Sequence, residues 1–239
     1  MNWDKFKEQF HESWHIKMRP FIESSACDKI YEFLKKESKR GKKIAPLSHN
    51  VFRAFKETSL DDLKVVLMGM CPYHTYKDGE PVADGLLMGC TSTGYLQPSL
   101  LQFYKGLEVD LYKGLSLNAP KSPDVSYLAN QGVLMLNAAL TTEMNKAGSH
   151  IAIWEPFTVY LMEEVLATSG AIYIFLGRDA AKYERHVPPM SWSFTLPHPA
   201  SASYREAEWE TDGVFSKVNG ILKQNNGFEI DWLNCEPPF

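Results

Sequence analysis

The chain has 239 residues, 44% hydrophobic and 23% charged, the balance of an ordinary soluble fold and enough for one sizeable α/β domain or two small ones. No run approaches the ~18 unbroken apolar residues of a membrane-spanning helix. The start, Met1-Asn-Trp-Asp-Lys-Phe-Lys-Glu8, lacks the apolar core of a secretory signal, so a cytoplasmic chain is expected, or a nuclear one in a eukaryotic host. A net charge of −4 argues against a protein that grips many phosphates and leaves a local basic patch as the route to nucleic acid.

Near the start, His11 and His15 stand four apart, the spacing of two ligands on one helix face. The run His11-Glu-Ser-Trp-His15 carries the HExxH letters around a large apolar Trp14, and packing around Trp14 is the better reading of the pair than a metal site. The four cysteines, Cys27, Cys71, Cys90 and Cys235, are scattered without a Cys-x-x-Cys pair, so free thiols are expected and no metal site. Across 28–39, Ile30, Phe33 and Leu34 fall at i, i+3 and i+4, which predicts an amphipathic helix. The basic run from Lys35 to Lys43 straddles Gly41 and reads as a solvated helix end more readily than as a phosphate contact. Four short apolar runs follow, at 64–68, 132–136, 171–176 and 192–196, with helix-like stretches at 98–112, 124–130, 154–167 and 206–223. Short apolar strands alternating with helices predict a mostly parallel sheet covered on both faces. No repeat, low-complexity segment or long linker divides the chain. Residues 1–239 are therefore expected to form a single α/β domain around a central, mostly parallel four-stranded sheet flanked by helices.

Special residues gather where the predicted strands end. Gly69-Met-Cys-Pro-Tyr-His74 follows the first, and Asn137-Ala-Ala-Leu-Thr141 the second. Gly177-Arg-Asp179 follows the third, and Pro197-His-Pro-Ala-Ser-Ala-Ser203 the fourth. Ligands of open α/β sheets bind beyond the carboxyl ends of the strands, so these four ends predict one shared pocket.

Gly69-Met-Cys-Pro-Tyr-His74 resembles the Gly-Gln-Asp-Pro-Tyr-His loop of the family 1 uracil-DNA glycosylases, and the other clusters stand in that family's order. Ser13-Trp-His15, Val51-Phe-Arg-Ala-Phe55, Ser149-His150, Trp154-Glu-Pro-Phe157 and Asp231-Trp-Leu233 extend the likeness across roughly 13–233. The resemblance implies a monomeric enzyme without a cofactor that turns a uracil nucleotide out of DNA and hydrolyses its N-glycosidic bond, which is inaccessible inside the duplex. The transition state resembles a sugar cation departing from a uracil anion, so preorganised charge should carry most of the acceleration. By resemblance, Asn137 reads uracil through an amide that donates and accepts side by side. Tyr73 blocks a 5-methyl group, Met70 serves largely through its backbone, and His198 donates to the uracil O2 as charge builds. Three groups fall on loops that press on the DNA: Gln97, Pro98 and Ser99; Gly177 and Arg178; and Ala200, Ser201, Ala202 and Ser203.

Several positions depart from the family pattern. Cys71 stands where the water-activating Asp is expected. A carboxyl with pKa ~4 is ionised at neutral pH, whereas a thiol near ~8.5 is mostly neutral. Losing one preorganised charge costs on the order of 10²–10³ in rate. A depressed thiol pKa would restore the charge, and a buried, inert thiol is the plainer alternative. Asp84 stands in place of a His, and Met88 in place of a Phe that stacks on the base, a softer and more flexible contact. Ala202 replaces the Leu that wedges into the gap left by the turned-out nucleotide, which favours single-stranded or distorted DNA. The expected function is a uracil-DNA glycosylase of weakened or altered activity. Two alternatives stay open: a catalytically silent relative that binds DNA or a protein partner, and a glycosylase for another modified base.

Overall fold

The computed structural model of the chain describes residues 3–113, 121–205 and 207–234; Cys235 and the first residue of the expected 206–223 helix lie outside them. Four strands form one sheet: β1 (Val65–Gly69), β2 (Val133–Asn137), β3 (Ile172–Leu176) and β4 (Ser193–Leu196). Their order is β2-β1-β3-β4 and every pairing is parallel. Every residue of the first three strands is buried, which is why they read as unbroken apolar runs without alternation. Gly69 lies opposite Asn137, Met68 opposite Phe175, and Leu176 opposite Leu196. This register brings the four carboxyl ends to one edge of the sheet.

The helices follow from local chemistry and, in places, from distant partners. After α1 (His15–Ile22), α2 (Ser25–Lys39) begins ahead of the expected 28–39 because Ser24 Oγ accepts the Cys27 N–H at 3.3 Å and caps it. The basic run at its end is paired, Lys35 with Glu32 and Lys42 with Glu37 and Glu143. Helix α3 (Pro98–Tyr112) starts on a proline, whose missing N–H would be unpaired there anyway. Helix α4 (Ser126–Ala129) is shorter than expected, and α5 (Ile151–Tyr160) starts earlier than 154 and widens into a π turn at Leu161–Val165. Two short helices, α6 (Arg178–Ala181) and α7 (Pro199–Arg205), follow β3 and β4 directly.

The expected helix over 206–223 is corrected. Helix α8 spans Val214–Asn226, and residues 207–213 before it are not helical. Gly213 turns the chain at φ 70°, and the Asp110 carboxylate of α3 accepts the N–H groups of Phe215 and Ser216, both at 3.1 Å. The start of α8 is thus fixed by a cap on another helix. Trp209 is pulled aside to donate its Nε1–H to the Pro197 carbonyl at 2.8 Å.

Several family-like motifs prove to be scaffold. Fully buried Trp14 donates to the Thr58 carbonyl at 2.7 Å, and the Ser13 hydroxyl accepts the Leu60 N–H at 2.8 Å. His11 Nδ1 bonds the Ser13 hydroxyl and His15 Nε2 the Lys7 carbonyl, so both rings serve local packing. Buried Trp232 donates to Asn219 Oδ1 at 3.1 Å, and its carbonyl accepts the Tyr127 hydroxyl at 2.7 Å. Among the described residues, no helix is long and apolar enough to cross a membrane.

Candidate active site

A cleft of about 540 Å³ opens at the carboxyl edge of the sheet. Its size suits a small-molecule or base-sized ligand. Every site residue expected from the sequence lines it except Asn137 and Ala202.

The β1 loop forms one wall. The N–H groups of Ala138 and Ala139 donate to the carbonyls of Gly69 and Met70 at 2.8 and 3.0 Å, so β1–β2 pairing runs on into the loop and fixes the Met70 backbone. Cys71 Sγ accepts the Gly148 N–H at 3.2 Å. Burial nonetheless pushes this thiol above its ordinary pKa, with a further push from the Asp179 carboxylate. Burial thus favours the neutral thiol over the thiolate alternative. The Tyr73 hydroxyl bonds Ser99 Oγ at 2.6 Å, and burial holds the phenol well above its usual range. That bond fixes the ring against the first turn of α3.

His198 follows β4. Its Nδ1 accepts the Ala200 N–H at 3.2 Å, which leaves the ring proton on Nε2. Burial lowers the imidazole pKa, so the ring is a neutral donor. Gly177, at φ 87°, permits this close approach: a Cβ there would stand 3.1 Å from the His198 Cβ.

Asn137 ends β2 at 3% exposure, one layer beneath the cleft. The reason lies in Leu87, whose Cδ1 would stand 2.4 Å from a Cβ on Gly69, while Asn137 Oδ1 would stand 3.6 Å from the same point. Leu87 fills the space that Gly69 leaves and forms the cleft wall beside the amide. Its backbone is tied by a 2.9 Å bond to the Met135 carbonyl. Asn137 Oδ1 is buried without a hydrogen-bond partner among the described residues, as are His74 Nδ1 and Gln97 Nε2 of the cleft. Unpaired buried polar atoms are rare and costly in native folds, and three of the six among the described residues lie in or beside the cleft.

Asp84 is a structural pin. It pairs with Arg53 at 2.9 Å and accepts the N–H groups of Leu86 and Thr91 at 3.1 and 3.2 Å. Those bonds hold the turn in which Met88 adopts φ 60° and lines the cleft. Behind the opposite wall, His150 Nδ1 and Trp154 Nε1 share Thr141 Oγ1 at 2.9 and 2.7 Å.

Ala202 is corrected as a DNA-facing residue. Helix α7 turns it inward to 5% exposure, while Tyr204 stands 87% exposed at the mouth. Ser203 Oγ donates to the Pro98 carbonyl at 3.2 Å and holds α7 against α3. Leu87, Asp179 and Tyr204 are among the cleft residues not singled out from the sequence as site residues. Asp179 carried a signal, as the acid in the third strand-end cluster, and Tyr204 carried one as an aromatic directly after the fourth. Leu87 carried none, since an extra leucine in an apolar run looks like core.

Comparison with known proteins accords with this architecture. The family model of the uracil DNA glycosylase superfamily matches residues 55–223. The chain is 32% identical to the uracil-DNA glycosylase of Azotobacter vinelandii, with 95% of each chain covered. It is 34% identical to that of Pseudomonas aeruginosa over 92% of this chain and 93% of the relative. The crystal structure of mimivirus uracil-DNA glycosylase superposes with a TM-score of 0.81 at 23% identity, covering 97% of this chain and 89% of that one. A superfamily match across most of the chain and relatives above 30% identity along nearly its whole length make it a member of the uracil DNA glycosylase superfamily.

Proposed function

We propose that the chain is a monomeric, single-domain glycosylase that needs no cofactor and hydrolyses the N-glycosidic bond of a uracil turned out of DNA. The observation that carries this is the neutral His198, whose only proton sits on Nε2 at the cleft. Such a group donates to an oxygen as negative charge develops and itself brings no competing positive charge to the ground state. Asn137 reads the base once Leu87 gives way, and Tyr73 stands against a 5-methyl group. Gln97, Pro98, Ser99, Gly177 and Arg178 meet the phosphates, with Ala200, Ser201 and Ser203 on the far lip. Cys71 occupies the place of the family's acid and supplies no charge, so the rate is low.

The test is release of uracil from a single-stranded oligonucleotide at high enzyme concentration, read as abasic sites. The native chain is expected to release base, and the double variant Asn137→Ala, His198→Ala to release none. Equal traces from the two would end this reading. The neutral Cys71 and the covered Asn137 favour one rival, a fold that binds DNA and leaves the base attached; it predicts binding without abasic sites.

Single strands, with less stacking to break, should be turned over faster than duplexes. Because Ala202 faces inward, Tyr204 is the group that faces the gap. Stacking of one base on an aromatic ring contributes ~1–3 kcal/mol. Tyr204→Ala is therefore expected to lower the rate on duplex DNA about tenfold or more and the rate on single strands far less. Comparing the two substrates with each variant measures it.

A further inference from the structure

Among the described residues, Asp179 is the one carboxylate that lines the cleft. Along the sheet, the strand ends of β2, β1, β3 and β4 present Asn137, Cys71, Asp179 and His198 in that order. Asp179 thus enters from the strand lying between those that carry Cys71 and His198. Gly177 is what brings it there, since the missing Cβ lets the β3 loop run against His198 before turning into α6. The carboxylate is close enough for its charge to be felt at the Cys71 thiol. Its side chain is 41% exposed and its ion-pair partner is Lys182, itself 66% exposed. An exposed pair of this kind contributes little, so the carboxylate turns toward the cleft at small cost.

We propose that Asp179 takes the proton of the attacking water in this chain, from the β3 end, since the β1 end carries Cys71 and no carboxylate. This rests on the glycosylase reading above. In the step, the water oxygen bonds to the sugar C1′ and its proton passes to the Asp179 carboxylate. The C1′–N1 bond breaks and its electron pair leaves on the base, whose O2 receives the His198 Nε2–H hydrogen bond. The negative charge of Asp179 also faces the sugar cation as it forms, which a thiol does not match.

The experiment measures single-turnover uracil release and, separately, oligonucleotide binding by fluorescence anisotropy, in the native chain and three variants. Asp179→Asn keeps size and removes the charge; it is expected to slow release on the order of 10²-fold while binding changes less than threefold. Cys71→Asp in the same chain is expected to restore release. Release by Asp179→Asn within threefold of native would overturn the inference and leave the glycosylase reading intact. So would a loss of binding equal to the loss of rate, which would make Asp179 a DNA-positioning group. If native and Asp179→Asn chains are both silent while the Cys71→Asp chain releases uracil, Asp179 supplies no base and the inference falls alone. If no variant releases uracil, the glycosylase reading falls with it.

Discussion

Cys71→Asp is expected to raise single-turnover uracil release at least tenfold at pH 7, and by on the order of 10²–10³ when Asp179 is Asn. Three influences act on the new carboxyl group. Burial and the nearby Asp179 charge raise its pKa, as they do for the thiol now present, and the Gly148 N–H bond lowers it. An unperturbed Asp starts near ~3.9, far enough below neutrality that the charged form survives moderate burial. The gain is smaller in the native background because Asp179 already contributes charge there and repels a second carboxylate. A flat or reduced rate in both backgrounds would show that Cys71 does not stand in a vacated acid's place.

His198→Ala is expected to slow release on the order of 10²–10³ as well, with DNA binding nearly unchanged, since the lost hydrogen bond is made mainly in the transition state. The same histidine sets a pH signature. Burial lowers the pKa of His198, and burial likewise lowers that of His150 against the pull of Glu37 and Glu143. Below the ordinary histidine value of ~6.5, the unfolded chain takes up protons that the folded chain refuses. The stability these rings contribute is therefore whole above that value and is lost as pH falls toward the folded pKa. The urea midpoint should drop between pH 7.5 and 5.5, and His198→Gln should flatten part of that drop. A midpoint equally steep in the variant would mean that His198 is not held neutral by the fold.

How legible this protein was depends on where each determinant lies. The four strands were legible because parallel strands buried on both faces leave contiguous apolar runs, and each of the four lies within a residue or so of its expected bounds. The shared cleft was legible because strand order does not alter which ends converge. The start of α8 was not, since its cap comes from Asp110 on α3. The inward turn of Ala202 and outward turn of Tyr204 were hidden for a related reason. The segment after His198 reads as a loop, and its coiling into α7 decides which side chain meets solvent. The cover over Asn137 was the least legible of all. It requires a missing Cβ on one strand and a leucine from a remote turn to meet in the same space.

That leucine has a kinetic corollary. If the amide is reached only while Leu87 has swung aside, the apparent affinity for any base is the intrinsic affinity scaled down by the open fraction. The scaling acts on departing product as much as on arriving substrate. Freed uracil is then poorly retained, and an enzyme slow in bond cleavage escapes inhibition by its own product.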